Sequence, residues 1–594
     1  MKKEKILLII KSFFAAWAIM RVGNLHTMNI ISLLFFMMSM MFIRVAEEKI
    51  QSIPQELCKK QRLLSRITAG AFSLFYIAGS YEAMLQDLTN ALFKIVISLA
   101  VVIGLYYLFY YGIMYSFSVL NGYTVTENAE SAKWKKIMKF LPFITFFFCI
   151  LCWLPYFLYS YPGIMTPDSI NQFEQVIGMK DFSNHHPWVH TMTISLFYHL
   201  GTFFTSSVNG AFAFFTVFQM CYMAFAAAFM IWVLREFTRN KILLVGSLVF
   251  YACVPYNAVM AICIWKDVMF SGTVLIFCSA MFYLLSGKGT KGGNIAVTIL
   301  YFLSGLLMCL YRTNGWYAFL LSVPFLLYAF WKEWKKMYPI HLLILILAMV
   351  VKGPVMDAYH VKQPDFVESV SIPLQQVGRV VAGKKTLTPA QEESLKKIMD
   401  IEYVDDLYVG HFADNMKELV RAGDKEYFTA HKGEYFKLWL ELGFQYPGTY
   451  LAAYVNQTYG YYAPSAVYFV AEVEGIIDNH TGLYAQPLIG GPLLVKIREI
   501  LIKLQNIIPI YGSLWSMASL LWATILLLIF VMGRKTEGGK ELLKKMTPWI
   551  PNLAIIATLM LATPVATEFR YAYNLAYCLP LYAGIFIINH KNEM

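Results

Sequence analysis

Long apolar runs recur along the chain, continuous rather than alternating, with short polar loops between them. Apolar stretches cover residues 6–22, 28–45, 67–81, 91–119 and 140–159, and after a polar island at 161–190 they resume over 188–204, 209–234, 242–257, 267–285, 294–310, 316–331 and 339–356. Residues 513–532, 549–565 and a last run ending near 589 complete the pattern. A helix of about twenty apolar residues crosses roughly 30 Å of hydrocarbon. Continuous runs suit helices, whereas barrel strands alternate. The pattern predicts an all-α polytopic membrane protein with about 13–15 transmembrane helices. The start, MKKEKILLIIKSFFAAWAIM, has no small-residue cleavage site and reads as a first anchor.

Charge gives the runs a direction. Lys2, Lys3 and Lys5 precede the first run, the loop 46–66 carries Lys49, Lys59, Lys60, Arg62 and Arg66, and 121–139 carries Lys133, Lys135, Lys136 and Lys139. Basic loops stay in the cytoplasm, so the N-terminus is expected there and five crossings leave 161–190 outside. One conflict follows. Two crossings over 188–204 and 209–234 would put the basic loop 235–241 outside, so the expectation is that one of these stretches lies along the membrane and that the status of 188–204 stays open. The basic loops 287–293 (GKGTKGG, without P-loop spacing) and 332–336 are expected inside.

Residues 357–512 are the one long stretch of mostly soluble composition, and they hold 14 Lys and Arg against 19 Asp and Glu. The rest of the chain holds 35 against 18, so the whole chain's net charge of +12 comes from its basic loops. No basic face with interleaved aromatics points to nucleic acid. Within 357–512, residues 389–399 read as the clearest helix, and LWLELGFQYPGTYLAAYVNQTYGYYAPS suits a domain resting on the membrane, where tyrosine is favoured. The expected division is 1–139 as N-terminal membrane helices, 140–356 as a membrane core with a first outer loop at 160–190, 357–512 as a mostly helical extracytoplasmic domain and 513–594 as C-terminal membrane helices. The nine cysteines are scattered and none lies in 357–512; Cys149 and Cys152 form a C-x-x-C inside an apolar run, where two core thiols are expected rather than a redox pair.

The outer loops gather the chemistry. YPGIMTPDSINQFEQVIGMKDFSNHHPWVH carries Asp168, His185, His186 and His190; other outer positions carry Trp265-Lys266-Asp267, Tyr311-Arg312-Thr313-Asn314-Gly315 and Glu568-Phe569-Arg570-Tyr571. Ionisable residues at a membrane face mark function. Asp168 is the candidate reacting carboxylate; His185, His186, Lys266, Asp267, Arg312, Asn314, Glu568, Arg570 and Tyr571 are candidate substrate-binding residues. Bland readings stand beside these. Thr166-Pro167-Asp168-Ser169 also suits a helix start with Thr or Asp as cap, Lys266 and Asp267 could pair with each other, and Arg312 and Arg570 could reach to headgroups. His186 and His190, spaced i,i+4, suit zinc, but no further ligand accompanies them, so hydrogen bonding is expected instead.

YPGIMTPDS after an early core helix, HHPWVH and EFRYAY together resemble the GT-C class of integral-membrane glycosyltransferases. The PDS, HHP, WKD and RTNG signatures are similar to those of an uncharacterised bacterial membrane-protein family within that class, over residues 140–590. The resemblance implies a lipid-linked sugar donor and a cell-envelope glycan or lipid acceptor at an outer-face site in the cell membrane. It implies Asp168 as base on the acceptor hydroxyl, with Arg570, then Arg312 or Lys266, near the donor phosphate. A single Asp-Ser stands where some members have Asp-Glu, which leaves a divalent cation open; no other cofactor is implied. The first four spans fall outside the shared core.

The expected function is transfer of a sugar from a polyprenyl-phosphate donor to a cell-envelope acceptor. A transporter or flippase for a lipid-linked or anionic solute is the alternative; it would want polar residues near the bilayer midplane, whereas these cluster at one face.

Overall fold

The computed structural model describes residues 2–26, 29–122, 132–287, 291–466, 468, 475–508, 510–535, 538–562 and 565–591. Residues 123–131 of one expected basic loop and 288–290 of the GKGTKGG turn lie outside the described residues. Among the described residues the elements are helices, joined here and there by isolated β-bridges. The first fourteen helices are α1 (Lys2–Val22), α2 (Ile30–Gln51), α3 (Gln55–Leu85), α4 (Ala91–Gly122), α5 (Ala132–Tyr159), α6 (Pro167–Val176), α7 (Trp188–Thr202), α8 (Val208–Phe237), α9 (Lys241–Cys253), α10 (Pro255–Ile262), α11 (Lys266–Ser286), α12 (Lys291–Tyr311), α13 (Thr313–Ala329) and α14 (Trp334–Val350).

Nine described helices are long and apolar enough to cross a membrane, or ten if α9 and α10, bent by 52°, count as one span. This is a polytopic helical membrane protein. The count is below 13–15 because several apolar runs fold as shorter helices: α7 has 15 residues, α13 has 17 and Met517–Met532 has 16.

The relation of α5 to α8 settles the conflict around 188–204. Arg235, near the end of α8, donates to Met138 O (3.1 Å) and Lys139 O (2.7 Å) near the start of α5. At the opposite ends, Gln486 N donates to Tyr161 O (2.9 Å) and Asn209 Nδ2 donates to Gln486 Oε1 (3.2 Å). The two helices therefore run antiparallel between the same two faces. Everything from 161 to 208 starts and finishes on one face, so α7 does not cross. Its 15 residues reach only about 22 Å.

The stretch 357–512 divides in two. Helices Ser371–Ala382, Pro389–Lys396, Asp414–Ala422 and Lys432–Gln445 close around Leu374, Val377, Leu395, Met416, Leu438 and Leu442, a core separate from that of the membrane body. Farther on, Tyr461, Tyr462, Ala463 and Leu483 belong to the membrane body's own core. The soluble unit thus ends near Tyr450, and the chain beyond it returns to strap the first outer loop.

Candidate functional site

The first outer loop is clamped on both sides through its backbone. Ile164 N donates to Ile262 O (3.0 Å), and Ile264 N donates to Ile164 O (2.9 Å). On the other side Met165 N donates to Gly475 O (2.9 Å) and Ile477 N to Met165 O (3.3 Å). Gly163 allows this close approach: its φ is +153°, and a Cβ there would stand 2.9 Å from Thr216 Oγ1 and 3.2 Å from Ile262 O. Thr216 Oγ1 in turn donates to Pro162 O at 2.6 Å.

These pairings bring Asp168 and Lys266 together, four residues after Ile164 and two after Ile264. Thr166 is the N-cap of α6 and Pro167 its first helical residue. Asp168 is therefore not the cap, and its side chain turns to Lys266 and Arg570. Ile170 and Phe173 bury the other face of α6. Trp265 Nε1 donates to Thr166 Oγ1 (2.8 Å), locking the helix start to the residue before Lys266.

Asp168 Oδ2 is the centre of a cationic cluster. Arg570 Nη1 donates to it at 2.9 Å and Lys266 Nζ at 3.3 Å. Lys266 Nζ also donates to His186 Nδ1 at 3.1 Å, which makes that nitrogen the unprotonated one. Arg570 donates through Nε to Glu568 and lies over the rings of Trp265 (4.7 Å) and Tyr571 (5.0 Å). Its planar fork can serve two carboxylates while its face stacks. The Asp168 side chain remains 28% exposed, so the cluster is not sealed off.

Burial alone would raise the Asp168 carboxyl, but Lys266 and Arg570 outweigh it and hold the group well below the ordinary carboxylate range. Glu568 goes the other way: burial raises it, and Arg570 offsets only part. Burial, reinforced by Lys266, pushes His186 well below the usual imidazole range, and burial also lowers His185.

A second pair sits behind the first. Arg312 Nη1 approaches Asp267 Oδ1 at 2.7 Å and donates to Tyr571 O at 3.2 Å. Its guanidinium lies 5.6 Å from the Phe270 ring and 5.4 Å from the Tyr571 ring. The alternative pairing of Lys266 with Asp267 does not occur. As neighbours at the start of α11 they point different ways, Lys266 to the first loop and Asp267 to α12–α13. Arg312 does not snorkel; it is buried.

Three candidates stand apart. Asn314 turns to Thr558 Oγ1 at 3.4 Å, away from Asp168. His185 faces the soluble unit, its Nδ1 3.8 Å from Glu368 Oε1. His190 is a core residue bonded to Gln172 Oε1 (3.1 Å) between the rings of Phe215 and Tyr311. His186 precedes α7 while His190 lies inside it, so their i,i+4 spacing is not that of one helix face. Among the described residues no three His, Cys, Asp or Glu side chains form a metal set. The Asp168 carboxylate already faces an ammonium and a guanidinium, a donor set that does not fit a divalent cation.

A family model matches residues 7–594. The chain belongs to DUF6020, a family of unknown function. No curated protein and no solved structure matches it.

Two participants in this DUF6020 site were given no role from the sequence: Trp265, named only within its outer group, and Glu368. Trp265 is both hydrogen-bond donor and stacking platform, a role that a lone Trp at a helix start does not advertise. Glu368 joins the first loop to Lys417 (2.9 Å) and Arg421 in the soluble unit; nothing in the pattern of 357–512 singled it out.

Proposed function

We propose that the chain is a membrane glycosyltransferase, GT-C-like in architecture, that moves a sugar from a polyprenyl-phosphate donor to a cell-envelope acceptor on the extracytoplasmic face. The N-terminus is then cytoplasmic. The observation that carries this reading is the Asp168 carboxylate, partly exposed and held ionised by Arg570 and Lys266.

The acceptor hydroxyl attacks the anomeric carbon, the bond from that carbon to the phosphate oxygen breaks, and the phosphate leaves with the electron pair. The hydroxyl proton passes to Asp168. A carboxylate of low basicity accepts it late, once the new bond has made the oxygen acidic. The arrangement suits that order, because it keeps Asp168 anionic and aimed rather than strongly basic. Fixed cations near the reacting centre stabilise charge gathering on the leaving phosphate.

The test compares cell-envelope glycans and lipid-linked sugars in a deletion strain and in a strain carrying Asp168→Asn. Both should lose one sugar decoration and accumulate its lipid-linked donor. Wild-type glycans in the Asp168→Asn strain would remove Asp168 from catalysis and overturn the reading.

A further inference from the structure

The three cations of the cleft are already matched: Lys266 and Arg570 by Asp168, Arg570 also by Glu568, and Arg312 by Asp267. Another cation at this end of the bundle is not. Lys352 sits in the π-helical turn Val351–Val355 that continues α14. Its Nζ stands 5.4 Å from the centre of the Trp316 ring, and among the described residues no Asp or Glu oxygen comes within 4.0 Å of it.

Its location is well marked. Trp316 lies one turn into α13 from Arg312, and Cys309, two residues before Tyr311 on α12, is its titratable neighbour. Val351 and Val355 of the same turn pack with Trp188 and Val189, which follow the His185-His186 pair after Pro187. Ile346, Met349 and Val350 on α14 and Tyr317 and Leu321 on α13 are exposed, as lipid-facing residues of a membrane body are. Lys352, itself half-buried, therefore stands where lipid-facing surfaces of two helices meet beside the start of α7.

An ammonium in apolar surroundings without a counter-charge is costly, and in a membrane span it marks a ligand path. π-turns inside helices concentrate at functional positions. An aromatic face backs the cation without neutralising it. We propose that Lys352, backed by Trp316, binds the phosphate of the lipid-linked donor as it enters the cleft sideways from the bilayer. The proposal rests on the transferase reading of the Asp168 cleft. It gives the donor phosphate a cation that no carboxylate has to release.

The experiment uses the full-length protein in phosphatidylcholine nanodiscs titrated with sugar-free polyprenyl phosphate. Wild type should bind it, Lys352→Gln should bind about tenfold more weakly or worse, and Lys352→Arg should recover most of the affinity. Equal binding by wild type and Lys352→Gln, with both folded by thermal unfolding, overturns the proposal. Phosphatidylglycerol or inorganic phosphate competing as well as the polyprenyl compound would assign the site to ordinary headgroups or free phosphate and overturn the donor assignment. The two readings fail separately. Weakened binding in Lys352→Gln beside normal glycans in the Asp168→Asn strain keeps the phosphate site and ends the transferase reading. Unchanged binding beside lost glycans does the reverse.

Discussion

Arg570 Nη1 donates to Asp168 Oδ2 at 2.9 Å across 402 residues of chain, joining the last outer turn to the first outer loop. The same guanidinium bonds Glu568 and stacks on Trp265. A lysine has neither the fork nor the flat face for all three. Arg570→Lys should therefore lose most activity even though its charge is kept. Arg570→Ala, which leaves two carboxylates facing each other, should cost about 3 kcal/mol or more in stability. Activity against donor concentration and thermal unfolding in detergent check both; Arg570→Lys at wild-type activity would make Arg570 a simple counter-charge.

Acid should act on this cluster in a fixed order. The lowered His186 contributes stability that is present above its usual 6.5 and is lost as pH falls below it. Glu568, raised above its usual 4.5, takes up its proton before Asp168, whose lowered carboxyl contributes stability above its usual 3.8 and loses it as pH falls through the folded value. The unfolding temperature should thus start to drop below pH 6.5, and His186→Gln should flatten that first part of the curve. An acid limb of activity above pH 4.5 should vanish in Glu568→Gln. An acid limb identical in wild type and Glu568→Gln would contradict this order.

What could be read from the chain follows from what neighbours in sequence can and cannot fix. Asp168, His186, Lys266 and Arg570 were legible because charged residues at helix ends of one face have few other places to be. Their partners were not, because partner choice depends on how each helix is rotated. Asn314 follows Arg312 by two residues yet faces Thr558, and His190 follows His186 by four yet sits in the core. The helical class was legible from continuous apolar runs. The turning back of α7 was only half legible: charge flagged a conflict, and the bonds of Arg235 to Met138 and of Asn209, through Gln486, to Tyr161 just past α5 resolve it. The tyrosine-rich part of 357–512 left open what it packs on, because such sequence suits a membrane interface and a protein core equally.

Trp265→Phe removes the hydrogen bond to Thr166 while leaving a ring beneath Arg570. The loss should be about 1 kcal/mol in stability. It should fall mainly on the rate, since the bond positions the start of α6 and with it Asp168. Kinetics with saturating donor check this, and an effect confined to donor affinity would show that Trp265 acts on binding instead.

The two-faced path of the chain can be mapped by chemistry. With exposed Cys253 replaced, single cysteines at Lys180 and Ser206 should react with the same membrane-impermeant thiol reagent from the same side. A cysteine at Asn240, at the far end of α8, should react from the other side alone. Labelling of positions 180 and 206 from opposite sides would mean that α7 crosses after all.

The cleft around Asp168 sets three carboxylates, Asp168, Asp267 and Glu568, against three cations, Lys266, Arg312 and Arg570, with a His186 held toward its neutral form. Such a cluster is electrically balanced, so it throws little field beyond its own walls. The balanced cluster itself does little to steer dissolved anions; among the described residues an unmatched cation near it is Lys352. On the proposed reading, in which the donor arrives through the bilayer, the salt dependence of turnover at limiting donor should come from the unmatched Lys352 and shrink in Lys352→Gln.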